Sequence, residues 1–142
     1  MKSCTQKAKL LLEKEDYTFV AVKGESEIVS RDRGVKPLID LIDNHALLTD
    51  FCVADKVVGK GAAILYSILG VNELYCAVIS DHAFDFLQSE GISVFYGQKV
   101  GAIVNRDKTG LCPIESAVIS IFDKKEGEKA IRNALLRLKT NK

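Results

Sequence analysis

The chain is poor in the residues that most often build metal and nucleophile sites. Its 142 residues include two histidines, His45 and His82, and four cysteines, Cys4, Cys52, Cys76 and Cys112. The cysteines lie far apart, and no C-x-x-C, H-x-E or H-E-x-x-H occurs. A zinc site needs three or four Cys, His or carboxylate ligands at suitable spacing, so the sequence predicts neither a bound metal nor a cofactor. There is no G-x-G-x-x-G and no basic-aromatic face, which disfavours dinucleotide and nucleic-acid binding. Neither sign of charge is in excess. Twenty Lys and Arg against nineteen Asp and Glu give +1, which supplies no global pull toward nucleic acid or a membrane surface. No apolar run approaches the ~18 residues of a membrane span. The polar start, Met1 to Lys7, is unlike a secretory leader, so a cytoplasmic location and reduced thiols are expected. Cys52 and Cys76 sit inside apolar runs and are expected as small core residues.

What is present is ordinary for a globular chain. Apolar residues make up 47% and charged residues 27%, enough for one domain over 1–142 with a sizeable core. Residues 2–14 read as a helix, with Cys4, Ala8, Leu11 and Leu12 on one face. Tyr17–Lys23 and Glu27–Arg31 read as a hairpin across Gly24-Glu25. Pro37 suits the opening turn of a helix that buries Leu38, Leu41 and Ile42. Strands are expected over 51–56, 73–80, 92–96 and 100–105. The fully apolar Cys76-Ala77-Val78-Ile79 suggests a strand covered on both faces. Helices are expected over 59–70 and 82–90, the second capped by Asp81. Pro113 starts a further helix to about Phe122. Asp123 is expected to cap a last one, with Ile131, Ala134, Leu135 and Leu138 facing inward. An opening hairpin followed by alternating units implies an α/β fold, a three-layer α-β-α sandwich around a mixed sheet.

In such a sheet, ligands sit beyond the carboxyl ends of the parallel strands. Three charged segments follow strands: Arg31-Asp32-Arg33-Gly34-Val35-Lys36, Asp55-Lys56 with Gly59-Lys60, and Arg106-Asp107-Lys108. The first two precede helix starts. If their loops emerge on one edge, Arg33, Lys36, Lys56 and Lys60 can converge on a cleft that draws a small anion. The free N–H groups of a helix start at Gly59-Lys60 strengthen that reading. The competing reading is that loops carry solvated charge in any case. The stretch is also a near miss to a phosphate-binding P-loop, which needs G-x-x-x-x-G-K-[ST]. Here Ala54 replaces the first glycine and Gly61 the metal-binding hydroxyl.

Leu111-Cys112-Pro113-Ile114-Glu115 is the second chemical motif. Cys112 falls near a helix N-cap, which favours a thiolate, and Glu115 falls in the first turn, where it suits the dipole. These two could act as nucleophile and acid/base. The plainer reading is a packed thiol and a dipole-matched glutamate. A cysteine nucleophile normally wants a base such as histidine. His45, late in a helix, and His82, after a cap, are expected to be structural.

The chain resembles an uncharacterised prokaryotic family, known as a domain of unknown function, with a cytidine-deaminase-like fold. The matching pieces are Asp32 to Leu38, Ala54 to Ala63 and Cys112 to Glu115. Zinc deaminases carry H-x-E or C-x-E at one helix start and P-C-x-x-C at the next. At those two places this sequence has Gly34-Val35-Lys36-Pro37 and Val58-Gly59-Lys60-Gly61. Neither offers a zinc ligand or the catalytic glutamate. The resemblance therefore implies the fold and the pocket position, and argues against the deaminase reaction.

The expected function is binding of a small anionic or nucleotide-like ligand by Arg33, Lys36, Asp55, Lys56, Gly59 and Lys60, with Asp55 orienting a hydroxyl or amine. One alternative is a metal-independent enzyme using Asp55, Lys60, Cys112 and Glu115. The other is a protein-interaction module. The apolar content allows a homo-oligomer, but no diagnostic interface stripe is seen.

Overall fold

A computed structural model describes residues 1–104 and 110–140. Five strands form one open sheet: β1 (Phe19–Lys23), β2 (Ser26–Ser30), β3 (Cys52–Val58), β4 (Glu73–Ser80) and β5 (Ser93–Val100), in the order β2-β1-β3-β4-β5. β1 is antiparallel to both neighbours, and β3, β4 and β5 are mutually parallel. Four strands therefore run one way and only β1 runs the other. The helices are α1 (Ser3–Lys14), α2 (Lys36–Asp43), α3 (Lys60–Leu69), α4 (Asp81–Ser89), α5 (Pro113–Val118) and α6 (Lys124–Thr140). α2, α3 and α4 each begin just past the carboxyl end of β2, β3 or β4. Three helix starts therefore gather at one edge of the sheet.

Strand alternation divides the core in two. Val20, Val22, Ala54 and Tyr75 face α1, where Ala8 and Leu12 cover them. Phe19, Ala21, Val53, Leu74 and Cys76 face the opposite way and pack with residues of α2, α3, α4, α5 and α6. Apolar side chains on both faces explain why β1 and β4 read as unbroken apolar runs. α3 lies deepest, with eight of its ten residues buried. It ends at Gly70, whose φ of +79° is the left-handed conformation that favours glycine at a helix end.

Several sequence expectations are corrected. Val100 closes β5 instead of opening a sixth strand. β5 stays paired with β4 from Glu73↔Ser93 to Ser80↔Val100, so Gly97 lies inside the strand. A Cβ on Gly97 would come within 3.0 Å of the Ala77 carbonyl oxygen, so a close backbone approach needs a glycine there. Val104 makes only an isolated bridge to Leu111, and Arg106, Asp107 and Lys108 lie outside the described residues. The cap of α4 is Ser80, whose hydroxyl accepts the Ala83 N–H at 3.2 Å; Asp81 is the first helical residue. Leu138 is 40% exposed, because α6 runs past the core that holds Ile131 and Ala134. Asp123 does cap α6, accepting the Lys125 N–H at 2.8 Å.

The thiol expectation is corrected as well. Cys4 and Cys52 form a disulfide, while Cys76 and Cys112 are free. The two partners are 48 residues apart in sequence, too far for a spacing rule to pair them. Packing of α1 across β1 and β3 brings their Cα atoms to 5.6 Å, within the range a disulfide spans. Glu73 of β4 anchors the same helix, accepting the Lys2 N–H at 2.9 Å and the Thr5 hydroxyl at 2.5 Å. Burial raises this carboxyl's affinity for protons, but the two hydrogen bonds, with the positive charges of the N-terminus and Lys2, together outweigh it and the pKa lies below the ordinary 4.5.

Candidate functional site

β3 passes into α3 through Gly59, in extended conformation. The glycine is required by what packs on it. A Cβ on Gly59 would lie 2.0 Å from Glu115 Oε2, and one on Gly61 would lie 2.5 Å from Ile114 Cγ2. The first turn of α5 is thus pressed against the first turn of α3. Glu115 is 1% exposed. Its Oε2 accepts the Lys60 backbone N–H at 2.7 Å and its Oε1 accepts the Ser80 hydroxyl at 2.9 Å. Ser80 in turn caps α4, so one carboxylate joins the starts of two neighbouring helices. Helix N-termini attract negative charge, which is the attraction read from the sequence at Gly59-Lys60. The anion found there is the chain's own Glu115.

Lys60 belongs to the same buried group. It is 2% exposed, donates from Nζ to the Ile119 carbonyl at 3.0 Å, and lies 4.3 Å from the centre of the Phe122 ring. Burial lowers its pKa, and the negative charge of Glu115 opposes the shift. The ammonium therefore points toward the end of α5.

The other expected ligand residues lie elsewhere at the same edge. β2 and β3 run in the same direction, so the loops that follow them do emerge together. Thr18 ties them, its carbonyl accepting the Lys56 N–H at 3.0 Å and its hydroxyl donating to the Asp32 carbonyl at 2.7 Å. Arg33, Lys36 and Lys56 are exposed. Lys36 pairs with Asp40 at 3.1 Å and Lys56 with Asp16 at 3.3 Å. A surface pair of this kind contributes about 1 kcal/mol at most and leaves the cation able to change partner.

Asp55 stands in a third environment. It is half-buried on β3, on the face that packs against α3. Its Oδ2 accepts a short hydrogen bond from the hydroxyl of Tyr66, and its Oδ1 accepts the Val57 N–H at 3.2 Å. Phe19 lies opposite it in the β1–β3 register and stacks on the Tyr66 ring, with centroids 6.4 Å apart. Cys76 is its partner on β4. Burial pushes the Asp55 carboxyl up to about 7, against the pull of the Tyr66 hydroxyl and the Val57 N–H. Burial, followed by the nearby Asp55 charge, raises Tyr66 well above 10. Burial likewise raises the Cys76 thiol, with Asp55 adding to the shift. The result is a carboxyl that exchanges its proton near neutral pH beside a phenol that stays protonated, a pairing suited to proton transfer or donor recognition.

A cleft of about 240 Å³ opens beside this pair, between β2 and α2, with walls that include Phe19, Ile28, Ser30, Asp32, Pro37 and Leu41. Phe19 is the wall shared by the cleft and the Asp55–Tyr66 pair. Cys112 precedes α5, half-buried, with its N–H donated to the Ile103 carbonyl at 2.9 Å. His45 and His82 are exposed, His45 at the end of α2 with a φ of +58°. Among the described residues no three His, Cys, Asp or Glu side chains are grouped as metal ligands. Among the same residues no helix is long and apolar enough to cross a membrane. Sequence reasoning missed Tyr66, which reads as one more apolar residue in the buried stripe of α3, and Ser80.

An open, mixed sheet with helices packed on it, and with helix starts and charged loops collected at one edge, defines an α/β protein. The chain belongs to the family described as TM1506, domain of unknown function (DUF1893), whose sequence model matches residues 7–135. Among solved structures it is similar to a DUF1893 family protein, TM1506 from Thermotoga maritima, with a TM-score of 0.85 and 29% identity over 96% of this chain and 91% of that one. None of the curated proteins matches the chain.

Proposed function

We propose that the protein binds a small anionic or nucleotide-like ligand at the carboxyl edge of β2 and β3, with Asp55 receiving a hydroxyl or amine of the ligand. The observation that carries this reading is the position of Asp55. It is a half-buried carboxyl held by Tyr66 and Val57, next to Lys56 on β3, at the sheet edge where the loop after β2 carries Arg33 and the start of α2 carries Lys36. Those cations take the anionic part, and the apolar walls of the neighbouring cleft take the uncharged body. Gly59 and Lys60 serve the site indirectly, by holding Glu115 and fixing the start of α3. The strand order, with β1 alone reversed, supports a cytidine-deaminase-like arrangement. In that arrangement Glu115 stands against the helix start where a deaminase carries its zinc-binding cysteines.

A metal-independent enzyme at the same place is the second reading, favoured by an Asp55 pKa of about 7. In it Asp55 moves a proton and Tyr66 holds the carboxyl in position. Glu115 takes no direct part, because both its oxygens are engaged inside the protein.

A thermal-shift panel of nucleosides, nucleotides and phosphosugars tests the proposal, with Asp55→Asn and Lys56→Ala in parallel. A ligand at ~100 times its Kd adds about 2.7 kcal/mol, or roughly 10 °C for a chain of this size. The expected result is a hit that weakens in both variants. A panel with no hit, or a hit indifferent to Asp55→Asn, overturns the reading.

A further inference from the structure

We propose that two copies of this chain join through β2, pairing antiparallel about a two-fold axis at Val29 and extending the sheet to ten strands. β2 is an outer strand, and among the described residues nothing pairs with its free side. Exposed strand edges are templates for association, and charge on them decides what may pair.

The charge here has a particular order. Glu25, Glu27, Val29, Arg31 and Arg33 alternate along Glu25-Ser26-Glu27-Ile28-Val29-Ser30-Arg31-Asp32-Arg33. Glu27 and Val29 lie on the face of the sheet that carries α1, because they stand opposite Val22 and Val20 of β1. Arg31 is held on that face as well, its guanidinium over the Tyr17 ring at 4.4 Å and bonded to the Glu15 carbonyl at 3.0 Å. A two-fold axis perpendicular to the sheet keeps each residue on its face, so the register must centre on a residue. Centring on Val29 sets Glu27 opposite the partner's Arg31, and Arg31 opposite the partner's Glu27. The same register stacks the two copies of Val29, which is 39% exposed. Glu25 and Arg33 continue the match beyond the strand. Centring on Glu27 or on Arg31 sets that residue against its own copy, like charge on like. Centring on Ile28 or Ser30 puts a charge opposite Val29. Cross-strand pairs of opposite charge are favourable and like pairs are not, so the pattern admits one register and rejects its neighbours.

The chain leaves these groups available. Glu25, Glu27 and Arg33 have no ion pair or side-chain hydrogen bond among the described residues. The central pairs involve none of the ligand residues proposed above. The outer pair would draw Arg33 toward the seam, so the two-fold interface and the anion site border one another.

Light scattering coupled to size-exclusion chromatography tests the proposal on four samples. The unaltered chain is expected at twice the 15.6 kDa of one copy. Glu27→Arg and Arg31→Glu each place like charges across the axis and are expected at the mass of one copy. Mixing these two variants restores opposite charges at both places and is expected to restore the doubled mass as a heterodimer. Recovery on mixing also shows that neither variant had merely failed to fold. An unaltered chain that stays at the single mass overturns the proposal, as does a doubled mass that survives either substitution. Single mass for both variants with no recovery on mixing overturns the register.

Discussion

The contact between Gly59 and Glu115 makes a prediction in which two damaging substitutions largely cancel. Glu115→Ala removes the acceptor of the Lys60 N–H and of the Ser80 hydroxyl, and takes away the negative charge that acts on the buried Lys60 ammonium. Removing one partner from a buried charged group costs about 3–5 kcal/mol, a large share of a total of about 5–15 kcal/mol. Gly59→Ala is damaging for a different reason. Its φ of −94° suits any residue, so the backbone is not strained. The new Cβ would instead lie 2.0 Å from Oε2, and the carboxylate must leave both helix starts. The cost is again about 3 kcal/mol. With Glu115 already replaced by alanine, the nearest remaining neighbour of that Cβ is Ile103 Cγ1 at 3.3 Å, and the glycine change costs under about 1 kcal/mol. Urea titration of the four proteins gives each stability and the coupling, expected at about 2–3 kcal/mol. Costs that add to within about 0.5 kcal/mol would refute the argument that Gly59 is a glycine in order to admit Glu115.

Two further outcomes follow from groups outside that contact. Asp55 has a folded pKa of about 7 against an ordinary 3.8, so the folded state holds the extra proton between those values. Stability from this group is therefore fully present below the ordinary value and falls as pH rises toward 7. Asp55→Asn should flatten the dependence in that window, and an unchanged slope in urea titrations from pH 4 to 8 would count against a buried, protonated carboxyl. The Cys4–Cys52 disulfide closes a loop of 48 residues, worth about 4 kcal/mol by chain entropy. Thiol titration of the unfolded, unreduced protein should find two reactive cysteines, rising to four after reduction, and Cys4→Ser should melt with the reduced protein. Four reactive thiols before reduction would sink the disulfide assignment.

Much of the fold was legible because it rests on local signals. Apolar runs marked β1 and β4, Pro37 and Pro113 marked helix starts, and Gly70 marked a helix end. The misplaced sixth strand shows the limit. Gly97-Gln98-Lys99 carries turn residues, yet seven pairs with β4, lying on both sides of Gly97, keep the strand in the ladder, and hydrogen bonds across strands outweighed local preference. The site was legible in its parts. Asp55, Lys60 and Glu115 each stand out as charged residues bordering apolar runs. Their roles were not legible, because charge type does not tell whether a side chain meets a ligand or another part of the chain.

By itself the sequence determined the α/β class, the positions of most elements and the edge where charged loops collect. Spacing, propensity and breaker residues act within a few positions and survive without a partner. The tertiary structure decided which groups meet. It brought Glu115 from α5 to the starts of α3 and α4, set Tyr66 against Asp55 and laid Cys4 on Cys52. Those contacts join residues 11 to 55 positions apart, and only the packing of helices on the sheet fixes such distances.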